Sequence, residues 1–345
     1  MAAILITSSK DNVGIVSVPE GIQPGEATID GLTATEWIPM GHKIALSDIA
    51  AGSSIIRYGY SIGIASQDIT KGSWVNEKNM SLPAAPDLDS IAYSGPPFWD
   101  ANPVEGYYFM GYKNADGSTG TRNILGITTS VQCVAGTTDF ITEKIRKELL
   151  PLYPNVDDVV TLNHDYGCGV AIDAPAAIVP IRTISNLARN PNFGGEIMVI
   201  GLGCEKLRPE RLIQNKATDS ILYLQDEQFN GFGEMVTGIM KTADMHLQKL
   251  NQRTRVKCPA AELVVGMQCG GSDAFSGLTG NPVAGFTADL IVRAGGTVFF
   301  SEVTEVRDAI DQLVKRAASE EVAMKLKKEM QWYDEYLALG GADRS

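Results

Sequence analysis

Short apolar runs separated by glycine-containing turns fill the first 82 residues. The runs lie at residues 13–18, 43–46, 54–58, 61–65 and 73–75, and no helical periodicity joins them. A chain that turns every eight to ten residues is typical of a small all-β module. Pro, Ala, Asp and Ser then dominate without apolar periodicity. We therefore predict an all-β domain over residues 1–82 and a linker over residues 83–105.

Longer apolar runs alternate with helix-like segments from residue 106 onward. They predict strands at residues 124–131, 159–162, 197–202, 221–224, 263–267 and 297–300. The runs are too apolar for one side to face water, so helices should cover both faces of a mostly parallel sheet. The predicted fold class is therefore α/β, with the β module followed by one α/β domain over residues 106–345.

Three helix signals support this α/β prediction. Ile141 and Ile145 lie four residues apart on an apolar stripe that stops before Pro151. Asn281 followed by Pro282 is typical of a helix start, and that helix should end near the glycines at 295–296. Ser319 should cap a last helix that continues to about residue 337.

The acidic composition narrows the function classes. The 345 residues carry 29 Lys plus Arg against 41 Asp plus Glu, which gives a formal charge of −12. Basic runs no longer than a pair argue against a nucleic-acid or anionic-membrane surface. The first residues lack a secretory signal pattern, and no stretch approaches ~18 uninterrupted apolar residues. We expect a cytoplasmic protein that binds neither nucleic acid nor membrane.

The positions of the cysteines suggest a site. The chain has 5 cysteines, an odd number that fits reduced thiols better than disulfides. Four of them follow or end a predicted strand: Cys133, Cys168, Cys204 and Cys269. Ligands of open α/β sheets bind at the carboxyl ends of the strands, so we expect these thiols to meet in one crevice. The alternative, that each is a small buried core residue, stays open.

Glycine-rich loops surround three of these thiols, at residues 164–169, 201–205 and 268–273. Glycine lets the backbone approach a ligand and exposes amide donors to an anion. Tight strand-to-helix turns explain the same glycines. None of the loops is a Walker loop, a dinucleotide fingerprint or a zinc knuckle, which disfavours an ATPase, a nicotinamide enzyme and a structural zinc protein.

The segment before the first α/β strand contains a second set of candidate residues. Arg122 can hold a carboxylate, and Asn114 and Asn123 can bind sugar hydroxyls. A hairpin built on the Asp-Gly pair at 116–117, with solvated charges, explains this segment equally well.

Several stretches together resemble the altronate/galactarate dehydratase family. They are residues 41–46, 114–123, 163–169, 199–207, 266–277 and 301–306. The resemblance implies an N-terminal β-clip module of the SAF type followed by a dehydratase body. It also implies removal of water from a sugar acid with the help of a divalent metal, usually iron(II).

Two departures from the family pattern bear on this resemblance. Many relatives carry a His-rich stretch where residues 72–79 here contain no histidine, so metal ligation by that stretch does not transfer. The galactarate branch shares this loss, which favours it over the altronate branch. Relatives also continue well beyond the position of Ser345, so we expect the C-terminal domain of the family to be absent.

The implied reaction converts galactarate to 5-dehydro-4-deoxy-D-glucarate. A proton beside one carboxylate is removed, and the hydroxyl one carbon further leaves. A positioned base supplies only ~10²–10⁴-fold, so an electrophile such as a metal ion must stabilise the enediolate. An iron–sulfur cluster on the cysteines is a less favoured alternative to a mononuclear ion. Altronate dehydration and non-catalytic sugar-acid binding are the alternative functions.

Candidate roles follow residue by residue. The catalytic candidates are His42, Lys43, His164, Glu205 and Asp273. The candidates for contact with the sugar diacid are Arg57, Tyr58, Asn114, Arg122, Asn123, Gly270, Gly271 and Ser272. The candidate metal ligands are His42, Cys168, Cys204 and Cys269. A homodimer is the default expectation for a soluble metabolic enzyme.

Overall fold

The chain forms two compact units. The computed structural model describes residues 4–29, 31–95, 102–213, 218–227, 229–271, 275–302 and 306–342. Unit 1 comprises Met1–Asn102, Val265–Leu290 and Val298–Ser345, and unit 2 comprises Pro103–Val264 and Ile291–Thr297. The stretch 106–345, predicted as one continuous domain, is thus divided between two units.

The N-terminal β module of unit 1 consists of two antiparallel sheets. Its strands are β1 (Ile4–Leu5), β2 (Val13–Val16), β3 (Lys43–Ala45), β4 (Ser54–Arg57), β5 (Tyr60–Ala65), β6 (Trp74–Val75) and β7 (Met80–Ser81). The sheet orders are β1-β2-β3-β6 and β4-β5-β7. Ile44 is buried in one core and Ile55 in the other. No helix occurs among the described residues of 4–82, so the all-β prediction is confirmed.

A two-residue turn, Tyr58 and Gly59, joins β4 to β5. Tyr58 and Gly59 both have positive φ, at 59° and 76°, and Arg57 pairs with Tyr60 across the hairpin. Positive φ at both central residues is the type I′ geometry that matches the strand twist. Tyrosine seldom adopts this left-handed conformation, so Tyr58 is a strained position.

The rest of unit 1 includes the C-terminal helices. It contains most of α4 (Gly280–Arg293), all of α5 (Ile310–Arg316) and α6 (Glu320–Leu339), and most of the two-stranded sheet of β15 (Val264–Met267) and β16 (Thr297–Phe300). The Ser319 side chain accepts a hydrogen bond from the Val322 N–H at 3.3 Å, which confirms the predicted cap. Strands β15 and β16, the last two that the sequence predicted, pair with each other and do not extend the parallel sheet of unit 2.

The predicted linker is packed where it is described. Leu88, Ile91 and Tyr93 lie against the apolar cluster of α5 and α6, which includes Ile310 and Met330. We call residues 84–95 the strap. Composition predicted a linker here, and three partly buried apolar side chains at 88, 91 and 93 pack the strap against the helices.

Unit 2 carries the main parallel sheet. Its strands are β8 (Tyr108–Lys113), β9 (Thr119–Gly120), β10 (Ile124–Thr129), β11 (Asp158–Leu162), β12 (Ile197–Gly201), β13 (Ile221–Tyr223) and β14 (Val256–Pro259). Its helices are α1 (Ala135–Glu148), α2 (Pro175–Leu187) and α3 (Phe232–Asn251). Strands β11-β10-β12-β13 are parallel, whereas β14-β8-β9 form an antiparallel sheet.

Helices cover both faces of the parallel sheet, as predicted. Ile141 of α1 and Leu247 of α3 share a core with Ile127 of β10 on one face. On the other face, Ile181 of α2 packs with Val199 of β12. None of the described helices is both long and apolar enough to cross a membrane.

Candidate functional site

Buried polar side chains gather at the carboxyl ends of β10, β11 and β12. Thr129 and Ser130 end or follow β10, His164 follows β11, and Glu205 follows β12. All four are at most 4% exposed. Adjacent parallel strands end at the same edge of a sheet, which explains why residues distant in sequence lie together here.

His164 is the most distinctive group at this edge. Its backbone N–H donates to Thr129 Oγ1 at 2.7 Å, and its Nδ1 accepts a hydrogen bond from the Tyr166 N–H at 2.9 Å. An acceptor at Nδ1 places the proton of the neutral imidazole on Nε2. That nitrogen is buried and has no hydrogen-bond partner among the described residues. Burial lowers the pKa of His164, with an opposing effect from Asp165.

Glu205 is held by its own loop. Its carboxylate accepts hydrogen bonds from Ser130 Oγ at 2.6 Å, the Leu202 N–H at 3.1 Å and the Gly203 N–H at 2.6 Å. A Cβ at Gly201 would lie 2.5 Å from Glu205 Oε1, so this approach requires glycine. The three donors suit a carboxylate that orders the loop, and they leave it few lone pairs for substrate.

The cysteines divide between the two units. Cys133, Cys168 and Cys204 are exposed in the loops after β10, β11 and β12, and the Lys206 N–H donates to the Cys168 carbonyl at 3.1 Å. Cys269 lies in unit 1, after β15. Strand β15 pairs with β16 and is not part of the parallel sheet that contains β10, β11 and β12. The expectation that all four thiols follow strands of one sheet is therefore wrong. Cys258, in contrast, is fully buried.

The described residues do not form a metal site. No three His, Cys, Asp or Glu side chains within the described ranges lie close enough together to hold an ion. His164 is also poorly set for ligation through Nε2, since its Nδ1 already accepts a hydrogen bond. Asp273 and Ser272 lie outside the described residues.

Three predicted residues cluster in the β module. Lys43 begins β3, and Arg57 ends β4. The Arg57 guanidinium lies 4.5 Å from the centre of the Tyr58 ring. Burial lowers the pKa of Lys43, and the nearby charge of Arg57 lowers it further, against the effect of Glu77. His42 is exposed, with its ring edge-on to Trp74 at 5.1 Å.

The loop after β15 borders a cavity of about 310 Å³ in unit 1. The Cys269 N–H donates to Glu302 Oε2 at 3.1 Å. Glu302 was not predicted as a site residue, although it follows a predicted strand in a stretch that resembles the family. Gly270 and Gly271 follow Cys269, and a Cβ at either glycine would meet open space.

The asparagines before β10 have structural contacts instead of free polar atoms. Arg253 donates to Asn114 Oδ1 at 2.5 Å and to Asn123 Oδ1 at 2.7 Å. The Asn123 side chain, fully buried, also donates to the carbonyls of Asn155 and Leu250. Asn123 therefore has a structural role, whereas Asn114 is only partly buried and its contact with substrate stays a prediction. Arg122 is exposed beside the hairpin of β8 and β9.

Three family models match the chain. The altronate/galactarate dehydratase SAF domain matches residues 2–83. The second domain of D-galactarate dehydratase/altronate hydrolase matches residues 111–251, and the C-terminal domain of D-galactarate/altronate dehydratase matches residues 260–345. The chain belongs to the altronate/galactarate dehydratase family. The third match corrects the expectation that the C-terminal domain of this family is absent.

Individual members of the family are also similar. A galactarate dehydratase (L-threo-forming) of Escherichia coli strain K12 is 58% identical over 97% of the chain and 66% of its own length. Altronate dehydratases of Bacillus subtilis strain 168 and Escherichia coli strain K12 are 35% and 33% identical, over 84% and 92% of the chain. The chain spans 57 to 66% of the length of these three family members.

Proposed function

We propose that this chain dehydrates galactarate to 5-dehydro-4-deoxy-D-glucarate. Similarity to a galactarate dehydratase at 58% identity supports the substrate, against 35% or less for the altronate dehydratases. The structural observation that carries the chemistry is His164, a buried imidazole whose Nε2 has no hydrogen-bond partner among the residues that the structure describes.

The reaction needs a proton donor as well as a base. The proton beside a carboxylate is weakly acidic, and its removal builds negative charge on the carboxylate oxygens. The departing hydroxyl must also gain a proton to leave as water. A base alone supplies ~10²–10⁴-fold of the ~10⁶-fold or more that enzymes provide. A preorganised donor in a site that excludes water supplies part of the remainder.

His164 fits the donor role better than the base role. The hydrogen bond from Tyr166 to Nδ1 keeps the proton on Nε2, so the imidazole offers an N–H to an oxygen. Its lowered pKa keeps the ring neutral at neutral pH. A neutral N–H donor can stabilise the enediolate by hydrogen bonding, whereas the proton for the leaving hydroxyl must come from another acid.

The experiment compares two isosteric substitutions. His164→Asn keeps an acceptor near Nδ1 but removes the donor, whereas His164→Gln keeps a donor near Nε2. We expect His164→Asn to lower kcat at least ~10²-fold and His164→Gln to retain more activity. His246→Asn, at another buried histidine, is the matched control with near wild-type kcat. A wild-type rate for His164→Asn would remove this residue from the mechanism.

A substrate panel tests the alternatives in the same assay. Faster turnover of altronate than of galactarate would favour altronate dehydration. Calorimetric binding of galactarate without turnover would favour a non-catalytic sugar-acid-binding protein.

Three further expectations are part of the proposal. A divalent ion, iron(II) in the first instance, remains implied by the family, but the described residues do not fit such an ion, so no step above depends on it. Elemental analysis of the purified chain tests both the ion and the alternative iron–sulfur cluster. A cytoplasmic homodimer is the third expectation, and light scattering measures its mass.

A further inference from the structure

A cavity beside α2 in unit 2 is lined by three arginines. Its volume is about 460 Å³, which is within the range of small-molecule sites. Arg182 lies on α2, Arg189 follows that helix, and Arg211 ends the short turn at 209–211 after β12. Asp173 is the one acidic residue of the lining. We call this cavity the arginine groove, and its local charge is +2 in a chain whose formal charge is −12.

The spacing of residues along α2 explains how the groove is formed. Ile178, Arg182 and Ser185 lie at positions i, i+4 and i+7, which share one face of an α-helix. The Ser185 hydroxyl donates to the Leu212 carbonyl at 3.1 Å, and this bond ties α2 to the segment that carries Arg211. The arginines therefore line the groove from two different segments of the chain.

Two of the three arginines lack a counterion within the described part of the chain. The side chains of Arg182 and Arg189 make neither an ion pair within 4.0 Å nor a hydrogen bond with any described residue. Arg211 Nη2 lies 3.4 Å from Asp173 Oδ1, and the two side chains are 50% and 83% exposed. An exposed pair of this kind contributes little free energy. The groove thus keeps two positive charges that no carboxylate of the described residues neutralises.

Two further carboxylates that lie close to these arginines in the sequence or in the fold bind other groups. Glu210 accepts a hydrogen bond from the Tyr223 hydroxyl at 2.9 Å. Asp116 borders a neighbouring cavity together with Arg189, and its Oδ1 accepts hydrogen bonds from the Ser118 N–H at 2.9 Å and the Ser118 hydroxyl at 2.6 Å. Positive charges that share a groove repel one another, so an anion from solution would stabilise them.

The rest of the lining includes an apolar wall. Ile172, Ile178 and Ile181 belong to it, and Ile178 is 47% exposed. Ile172 and Ile181 also pack against the core cluster that contains Val199 of β12, so the fold fixes their positions. Small-molecule sites combine an apolar lining with a few convergent polar groups. A ligand with a charged head and an apolar body matches both parts of this lining.

We propose that the arginine groove binds an organic phosphate monoester. Such a group carries about −1.5 to −2 charges near neutral pH, which matches the two arginines that lack a counterion. Its three terminal oxygens accept hydrogen bonds from several directions, whereas a carboxylate presents two oxygens in one plane to a single guanidinium. The isoleucines contact the organic body. No candidate catalytic residue or metal ligand lines the groove, so this inference does not rest on the proposed function.

Calorimetry on the full chain in a phosphate-free buffer tests the site. The probes are phenyl phosphate, inorganic phosphate, which lacks the apolar body, and succinate, which is a dicarboxylate. We expect phenyl phosphate to bind most tightly. Arg182→Gln and Arg189→Gln should each raise its Kd about 5- to 10-fold, since each removes a charge-assisted hydrogen bond at an exposed position. Lys147→Gln removes an exposed charge from α1 of the same unit and is the matched control, with wild-type Kd.

A substitution in the apolar wall separates the head of the ligand from its body. Ile178→Thr should raise the Kd of phenyl phosphate about 3-fold, because it removes apolar surface, and should leave the Kd of inorganic phosphate unchanged. Added salt should weaken the binding of both phosphates, since exposed charges are screened. Circular dichroism checks that each variant is folded.

Four results would overturn the proposal. Phenyl phosphate does not bind the wild-type chain, or it binds both arginine variants as tightly as wild type. Phenyl phosphate and inorganic phosphate bind equally, which would remove the organic body from the proposal. Succinate binds more tightly than phenyl phosphate, which would make the groove a dicarboxylate site.

Discussion

Arg307 and Asp334 form an ion pair. We expect replacement of Asp334 to lower the free energy of unfolding more than replacement of Arg307. Arg307 Nε donates to Asp334 Oδ1 at 2.9 Å, and Nη2 donates to Oδ2 at 2.6 Å. The Arg307 side chain is 5% exposed, whereas that of Asp334 is 39% exposed. Nη1 also reaches the carbonyl of Pro86 in the strap at 3.5 Å. The pair therefore holds the strap against the C-terminal helices.

Removing either partner leaves a different group behind. Asp334→Ala leaves a buried guanidinium with only the weaker attraction of Asp308, and we expect a loss of about 3 kcal/mol in the free energy of unfolding. Arg307→Met leaves a carboxylate that water can reach, and its stem still packs, so we expect only about 1–2 kcal/mol. The order of the two losses is the prediction, and burial is its cause.

Urea denaturation followed by circular dichroism measures both losses. Lys325→Ala breaks an exposed i,i+4 pair with Glu321 on α6 and is the matched control, with a loss of at most about 0.5 kcal/mol. Hydrogen exchange should show faster exchange in residues 84–95 for both ion-pair variants but not for the control. Equal losses, or a larger loss for Arg307→Met, would refute the argument from burial.

Two further predictions concern pH and helix capping. The hydrogen bond from His246 is the main cause that lowers the pKa of Glu196, from an ordinary value of 4.5. Because the pKa of Glu196 is lower in the folded chain than in the unfolded chain, its ionised form stabilises the fold above pH 4.5. This stabilisation should be lost as the pH falls below 4.5 and through the folded-state pKa. In thermal melts, Glu196→Gln should therefore show a smaller drop in Tm with falling pH than wild type. Ser319→Ala removes the cap of α6 and should cost about 1 kcal/mol in chemical denaturation; no loss would show that the cap contributes nothing.

Local sequence patterns predicted the individual elements well. The apolar runs at 197–202 and 221–224 became β12 and β13 within one residue at their carboxyl ends. Ser319 capped the last helix as expected. These features depend on neighbours a few residues apart, because alternation, helical stripes and caps are all local. The arrangement of β10, β11 and β12 followed from the same runs, since buried parallel strands are apolar on both faces.

The sequence alone therefore determined the class of fold, the strand-end position of His164 and the resemblance to a family of sugar-acid dehydratases. Only the tertiary structure decided which polar groups were already satisfied. Arg253 donates to Asn123 Oδ1 from 130 residues away, and Arg307 donates to the Pro86 carbonyl across 221 residues. Arg57 differs because its buried Nε and Nη2 have no hydrogen-bond partner in the described part of the chain. Hydrogen-bond partners distant in sequence are set by packing, and no local pattern records them.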